Sequence, residues 1–564
     1  MKQKLTIAFL LATQIFFSQE YLNLDFETVT EGTDSPSGWY IGNPPYKATI
    51  DTNIVFKSGK SLRFETEVTD EESFGMSSVS FPASLSKGKT LEFKGKVKTT
   101  GVTDGYAGLW MSAANEEGTK AFDNMSERGL IGTNDWTEVT IKLPIDTTVT
   151  RINLGGLFTG EGTVWFDDFE VYIDGQKYED VEPVLREPTQ EELTWLKQQV
   201  ESLSSFDPET VSEDLEIIGE LIGDAQVVGL GETTHGSSEI FKMKHRIVRY
   251  LAERKDFDVF SIESNMPESY NINNYTIEGK GNPVDLIKGM YFWTWRTKEV
   301  LDMVEWMKDF NQTNHKIKFT GFDMQFYEGP VAELHQAYSG NPAVLDSINE
   351  LSALLKNYKE GNDVQNSHGK ASAIVSKLQA DLPKFDIKEK DWAFQNLRII
   401  EQYLSKGNER DRYMAENVLW IKSQPQNSKL VLWGHNGHIK ETGNSMGKFL
   451  SDSLGSNYLS IGFTFGHGEY TAVGDNRLSS HAAQQAPAGS YELFFEQIDE
   501  PIFLLDLRKV KKENSALAEW ILGELSLRNV GTLKTQNEFY KTDLTEDFDI
   551  LIFINESTSS TILE

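Results

Sequence analysis

Short runs of alternating hydrophobic and polar residues fill the first third of the chain, and long helical stretches separated by brief apolar runs fill the rest. From about Tyr21 to Asp180 the runs Ser61 to Glu65, Thr90 to Val97, Trp136 to Leu143 and Thr163 to Tyr172 repeat with a period near two. Gly, Asp, Asn, Ser and Thr separate them. Successive side chains of a strand face opposite ways, so this spacing predicts an antiparallel β-sandwich. Later the apolar runs Ala225 to Leu230, Phe257 to Ile262, Ile317 to Phe322, Lys429 to Trp433, Tyr458 to Phe465, Ile502 to Leu507 and Phe548 to Ile554 alternate with helical patterns. That alternation predicts an α/β domain with a mostly parallel sheet. Between Pro330 and Gln424 the pattern is almost wholly helical, including Lys390 to Lys406 and Arg410 to Lys422, as in an insert that covers an α/β site. The expected organisation is multidomain: a sandwich over 20–180, a polar linker over 181–190, and an α/β domain over 191–564 with its helical insert at about 330–424.

One apolar run stops abruptly in charge. Val227, Val228 and Leu230 suit a buried strand, and Gly229 and Gly231 permit a tight turn before Glu232 and His235. Ile240, Met243, Ile247 and Leu251 then recur on one helical face, with Ser237 or Ser238 as the cap. A carboxylate and an imidazole thus stand at the carboxyl end of a strand beside a helix N-terminus, where open α/β sheets hold their ligands. The helix dipole disfavours imidazolium there and leaves His235 able to accept a proton. Three further runs end alike: the second in Glu263, the third in Asp323, the fourth in His435 and His438. In a parallel sheet these ends share one edge, so the side chains converge as an active site would require. Asp323 has the alternative role of a helix cap. Trp295 and Arg296, on the helical run Val284 to Phe310, line an apolar pocket or pack in the core. His467 follows the Tyr458 strand toward the same edge, and His245 reads as structural.

Composition narrows the chemistry. A net charge of −32 excludes the basic footprint that nucleic acid or an anionic membrane surface requires. The absence of cysteine removes disulfides, thiol catalysis and cysteine-ligated zinc. Lys2 and Lys4 followed by the apolar Leu5 to Phe17 read as a secretory signal over 1–19, so the expected location is secreted or periplasmic without membrane insertion. No Gly-x-Ser-x-Gly elbow follows a strand, which disfavours a serine triad. Gly229-x-Gly231 lacks the third glycine of a dinucleotide loop.

Two resemblances follow. Gly38-Trp39, the Trp136 strand and Val164 to Gly175 make the first domain similar to a galactose-binding-like jelly roll of the carbohydrate-binding kind. The resemblance implies a glycan partner. Trp39, Trp110, Trp136 and Trp165 are the stacking candidates, with core packing as the alternative; Asp167 and Asp168 are candidates for a structural calcium. The motifs Gly231 to Gly236, Glu239, Lys244 to Arg246, Glu263, Arg410 to Asn417, Gly434 to Ile439 and Ser460 to Gly468 resemble the erythromycin esterase family over about 187–555.

This second resemblance implies hydrolysis of a carboxylic ester or macrolide-like lactone, without metal or other cofactor. His235 matches the family's general base, Glu232 its acidic partner, Glu263 the second acid and His435 the second histidine. His438, Lys244 and Glu239 match supporting positions, with Lys244 where macrolide-opening members carry arginine. The water-activating base needs an orienting carboxylate, Glu232 or Glu263, and an oxyanion donor, His435, Lys244 or turn amides. The alternatives are a metal-dependent hydrolase built on the same Glu and His residues, and a glycan-binding protein with an inactive α/β domain.

Overall fold

The computed structural model describes residues 22–563 apart from 31–34, 43–44, 58, 67–72, 82, 116–117, 179–187, 211–212, 386, 406, 425–427, 475–476, 514 and 536. The expected signal segment and most of the expected linker lie outside the described residues. The chain divides into two compact units between residues 185 and 186.

The first unit is built from antiparallel strands around Thr90–Asn115. That strand pairs with Leu130–Pro144 and Glu161–Ile173 along its first half, and mainly with Arg151–Thr159 and Gly118–Asp123 along its second. Its alternation sends Leu91, Phe93 and Val97 into one core with Phe26, Trp39 and Phe169. Trp39 is core: its ring lies 5.1 Å from Phe26, and its indole donates to the Leu22 and Asn23 carbonyls. Trp165 is buried and donates to Asp51, while the half-buried Trp136 meets the exposed Phe56 at 5.9 Å. Asp167 accepts the amides of Phe56 and Asp168, one on each oxygen.

The second unit contains strands β1 (Val227–Leu230), β2 (Val259–Asn265), β3 (Lys318–Asp323), β4 (Leu430–Trp433), β5 (Tyr458–Gly474), β6 (Ile502–Asp506) and β7 (Ile550–Ser557). They lie in the order β6-β7-β5-β1-β4-β2-β3, with Val200–Ser202 outside β6. Parallel pairs join β1 to β4 and β5, β2 to β3 and β4, and β5 to β7. Strand β6 runs antiparallel to β7. Every residue of β1, β2 and β4 is buried, which is why β1 and β4 are apolar throughout rather than alternating, while β2 turns polar toward its carboxyl end. From β1 the chain builds β2, β3 and β4 to one side and then β5 and β7 to the other, so β1 stands at a topological switch point.

Helix α1 (Ser238–Arg254) follows β1, capped by Ser237, which accepts from the Ile240 amide. Its predicted face is buried, and so are Lys244 and His245 beside it. The expected helical run Val284 to Phe310 is instead interrupted. It comprises Pro283–Lys288, a 3-10 turn Trp293–Trp295 and α2 (Lys298–Phe310), with Tyr291 at a positive φ of 70°. The insert consists of α3 (Glu328–Ala337), α4 (Pro342–Lys359), α5 (Val364–Asp381), α6 (Lys390–Ser405) and α7 (Arg410–Ser423); α3 to α6 share their own apolar core around Leu334, Leu351, Leu378 and Leu397, while α7 packs Met414 and Val418 with Phe322 and Leu432 of the sheet. Helix α7 is tied to the sheet. Asn417 donates to the Phe322 carbonyl of β3 and accepts from Gln395 and Gln402 on α6.

Candidate active site

The carboxyl ends of β1, β2, β3 and β4 bring Glu232, His235, Glu263, Asp323, His435 and His438 into one polar cluster. The turn after β1 can close this tightly because its glycines lack side chains, not because they adopt left-handed backbone. A Cβ at Gly231 would stand 2.1 Å from Asn436 Oδ1, and one at Gly236 1.9 Å from the Thr471 carbonyl oxygen. Asn436 knits the edge together: its amide donates to the Glu232 carbonyl, its Nδ2 donates to the Phe463 carbonyl, and its Oδ1 accepts from the Phe463 amide.

Glu232 is fully buried and engaged on both oxygens. Oε1 lies 2.7 Å from His235 Nδ1, while Oε2 accepts from Lys244 Nζ and Trp433 Nε1, each at 2.7 Å. Burial alone would raise its pKa, but Lys244 and His235 outweigh that and hold the carboxyl below its ordinary range. Burial pulls Lys244 down to about 8 against the opposing pull of Glu232. Its ammonium also sits 4.4 Å over the Trp433 ring. A carboxylate only accepts, so His235 donates from Nδ1 and, when neutral, keeps its lone pair on Nε2. The carboxylate sets this tautomer. Trp295 meets the His235 ring edge-on at 5.9 Å and donates to the Glu263 carbonyl. With 1% exposure it buttresses the imidazole instead of lining an open pocket.

Glu263 is held differently. Oε1 accepts from Arg410 Nη2 at 3.0 Å and His438 Nε2 at 3.2 Å, and Oε2 accepts from the His435 amide at 2.9 Å. Burial would raise its pKa, yet His438 and Arg410 push it well below the carboxylate range. It is a locked anion and does not orient His235; that task falls to Glu232.

The two histidines of the β4 loop sit in opposite states. His435, 5.1 Å ring to ring from His235, accepts the Gly437 amide at Nδ1 and donates from Nε2 to the Val530 carbonyl at 3.3 Å. Burial, with His235 and His438 nearby, lowers its pKa to about 4. His438 lies between Glu263 and Asp411, 2.7 Å from Asp411 Oδ1. Burial there works downward, but the two carboxylates dominate and raise it to about 10. Asp323 caps no helix. It accepts Arg410 through both oxygens, at 3.2 and 2.7 Å, with its own following amide and Gln325.

Several expected residues fall outside this cluster. Glu239 binds the amide and hydroxyl of Thr558, so it anchors the C-terminal segment. Arg296 donates to the Tyr291 carbonyl. His467 pairs with Glu496 and is 54% exposed. Lys244, fully buried and spent on Glu232, cannot face an oxyanion, and the Nε2 hydrogen of His435 is directed at Val530. Sequence reasoning gave no role to Arg410, Asp411, Trp433 or Val530. Arg410 and Asp411 carried a motif, and their charge at a helix start was the available signal. Trp433 offered only an indole needing an acceptor, and Val530 contributes a carbonyl with no side-chain signature.

A metal would need open donor atoms here. The oxygens of Glu232 and Glu263 are compensated by Lys244, Arg410 and the two histidines, and among the described residues no group of three or more His, Asp or Glu is disposed to hold a metal ion.

Against models of known families, the chain matches Erythromycin esterase over residues 252–557. Glu263, Asp323, Arg410, His435 and His438 fall inside the match; Glu232, His235 and Lys244 precede it. The Bacillus subtilis (strain 168) protein YbfO, which carries a provisional hydrolase name, is 23% identical over 427 residues, spanning 66% of this chain and 92% of that protein. Erythromycin esterase type II of Escherichia coli is 24% identical over 332 residues, spanning 50% and 78%. Among solved structures, a Bacillus cereus protein matches with TM-score 0.59 at 26% identity, over 67% of this chain and 100% of that one. A protein described as a succinoglycan biosynthesis protein matches with TM-score 0.58 at 28% identity, over 66% and 98%.

Proposed function

The chain belongs to the erythromycin esterase family of hydrolases, and from that premise we propose that it cleaves a carboxylic ester or macrolide-like lactone with water activated by His235. The observation that carries this reading is the 2.7 Å contact from His235 Nδ1 to the buried Glu232 carboxylate, which leaves Nε2 as the acceptor. Water gives a proton to Nε2 as its oxygen bonds to the ester carbon, and Glu232 stabilises the imidazolium that forms. When the tetrahedral intermediate collapses, the C–O bond breaks and the leaving alkoxide takes the proton back. Glu263, His435 and His438 hold the loop beside the base, and no metal or other cofactor enters the reaction. The closed donor sets of Glu232 and Glu263 favour this over metal-bound water.

The test is an ester and macrolide panel on the purified protein, repeated after chelation, beside His235→Ala. Turnover should survive chelation and fall by ~10²–10⁴ in the variant. A variant as fast as the parent removes His235 from the mechanism. Export to the periplasm or medium is proposed from Lys2, Lys4 and Leu5 to Phe17; among the described residues no helix is long and apolar enough to cross a membrane. A glycan ligand for the first unit is proposed on its resemblance, with Phe56 and Trp136 among its accessible rings.

A further inference from the structure

We propose that Arg410, delivered by the last helix of the insert, is a catalytic residue of this hydrolysis: its Nη1, beside the imidazolium of His438, receives the carbonyl oxygen as it turns negative. The inference rests on the hydrolytic reading above and adds an oxyanion donor to it.

Lys244 is sealed under Glu232, and the Nε2 hydrogen of His435 is spent on Val530. The cations of the cluster that keep exposed side-chain surface are Arg410 at 28% and His438 at 18%. Their inner sides are committed. Arg410 places Nε on Asp323 and Nη2 on Asp323 and Glu263, and His438 places Nδ1 on Asp411 and Nε2 on Glu263. Nη1 is different: among the described residues no carboxylate binds it, and it stands 3.3 Å from His438 Nε2. Two cationic nitrogens side by side repel, and a negative oxygen set against Nη1 relieves that repulsion. Carboxylates behind the pair fix each donor before substrate arrives, so little reorganisation is required during the reaction. As hydroxide bonds to the ester carbon, the carbonyl π pair moves to oxygen, and the Nη1 hydrogen donates to that oxyanion. When the pair returns, the bond to the leaving alkoxide breaks.

The test combines turnover with calorimetric binding of an alkyl phosphonate, a tetrahedral anion shaped like the intermediate. Arg410→Gln should lower kcat by ~10²–10³ with KM little changed, and should weaken phosphonate binding by ~10–10²-fold, the scale of one charged hydrogen bond. Arg410→Lys should fall between. Because Arg410→Gln strands the buried Asp323, the pair Arg410→Gln with Asp323→Asn is measured as well, each variant checked for a cooperative melt. His235→Ala should keep phosphonate affinity close to the parent value. The proposal is overturned if the folded double variant binds phosphonate as tightly as the parent, or if the parent does not bind it. If the parent turns over no ester while the phosphonate series behaves as stated, the hydrolytic reading fails and the anion site stands.

Discussion

Glu232 and Glu263 begin alike: each is a buried glutamate at the carboxyl end of a central parallel strand, and each is held ionised. They differ in what the neighbours leave over. Around Glu232, a lysine and an indole saturate one oxygen, so the other is given wholly to one imidazole whose far nitrogen remains open. Around Glu263, a guanidinium, an imidazolium and a backbone amide consume both oxygens and leave no proton-accepting capacity. Burial with cations makes either carboxylate an anion; only the first arrangement makes a base of its partner. The same contrast recurs in one loop, where His435 is driven neutral and His438 is driven cationic.

The strongest way to break this comparison is Glu232→Gln. It removes the acceptor that fixes the His235 tautomer, and kcat should fall by about 10³–10⁴, the loss seen when a histidine base elsewhere loses its orienting carboxylate. Equal losses from Glu232→Gln and Glu263→Gln would show that the two sites are not distinct. Glu263→Gln should instead cost about 10²-fold, through misplacement of the histidine loop. The pKa of His438, followed by NMR titration, should drop from about 10 toward its ordinary value in that variant.

Smaller effects sharpen the picture. Because Lys244 is charged only below about 8, the rate should decline above that pH as its pairing with Glu232 weakens. Lys244→Arg, which cannot deprotonate there, should move that alkaline limb upward even if the larger fork lowers the rate several-fold through crowding. An unmoved limb would take Lys244 out of the base's control.

Stability should fall on both flanks of neutrality. His438 is raised from 6.5 to about 10, so its contribution is complete below pH 6.5 and vanishes as pH rises through 10. His435, lowered to about 4, and His245, lowered to about 3 by burial, contribute above pH 6.5 and lose that contribution as pH falls toward those values. His245 has an unpartnered buried Nε2 and packs on Trp306 at 5.5 Å, so His245→Phe should leave turnover near the parent value. Denaturant melts of this variant should show a shallower acid decline. A decline as steep as the parent's would mean His245 does not contribute.

Much of this was legible before any coordinates. Apolar runs in Val227 to Leu230 and Leu430 to Trp433 announced doubly buried strands, and a parallel sheet must bring strand ends to one edge. That geometric necessity is why Glu232, His235, Glu263, Asp323, His435 and His438 were expected together. Periodicity failed over Val284 to Phe310 because Trp293 and Trp295 keep an apolar rhythm while the backbone turns. The contact Glu239 makes was not legible because its partner, Thr558, lies 319 residues away.

By itself the sequence determined the strands, the helical insert, the edge on which charge gathers and the residue types available there. Tertiary structure alone decided what each group became: which glutamate serves a base, which histidine carries charge, and that Arg410 and Asp411 reach in from the insert. Protonation and donor direction depend on burial and on atoms within a few ångströms, and those neighbours come from segments hundreds of residues apart, a distance over which local pattern carries no information.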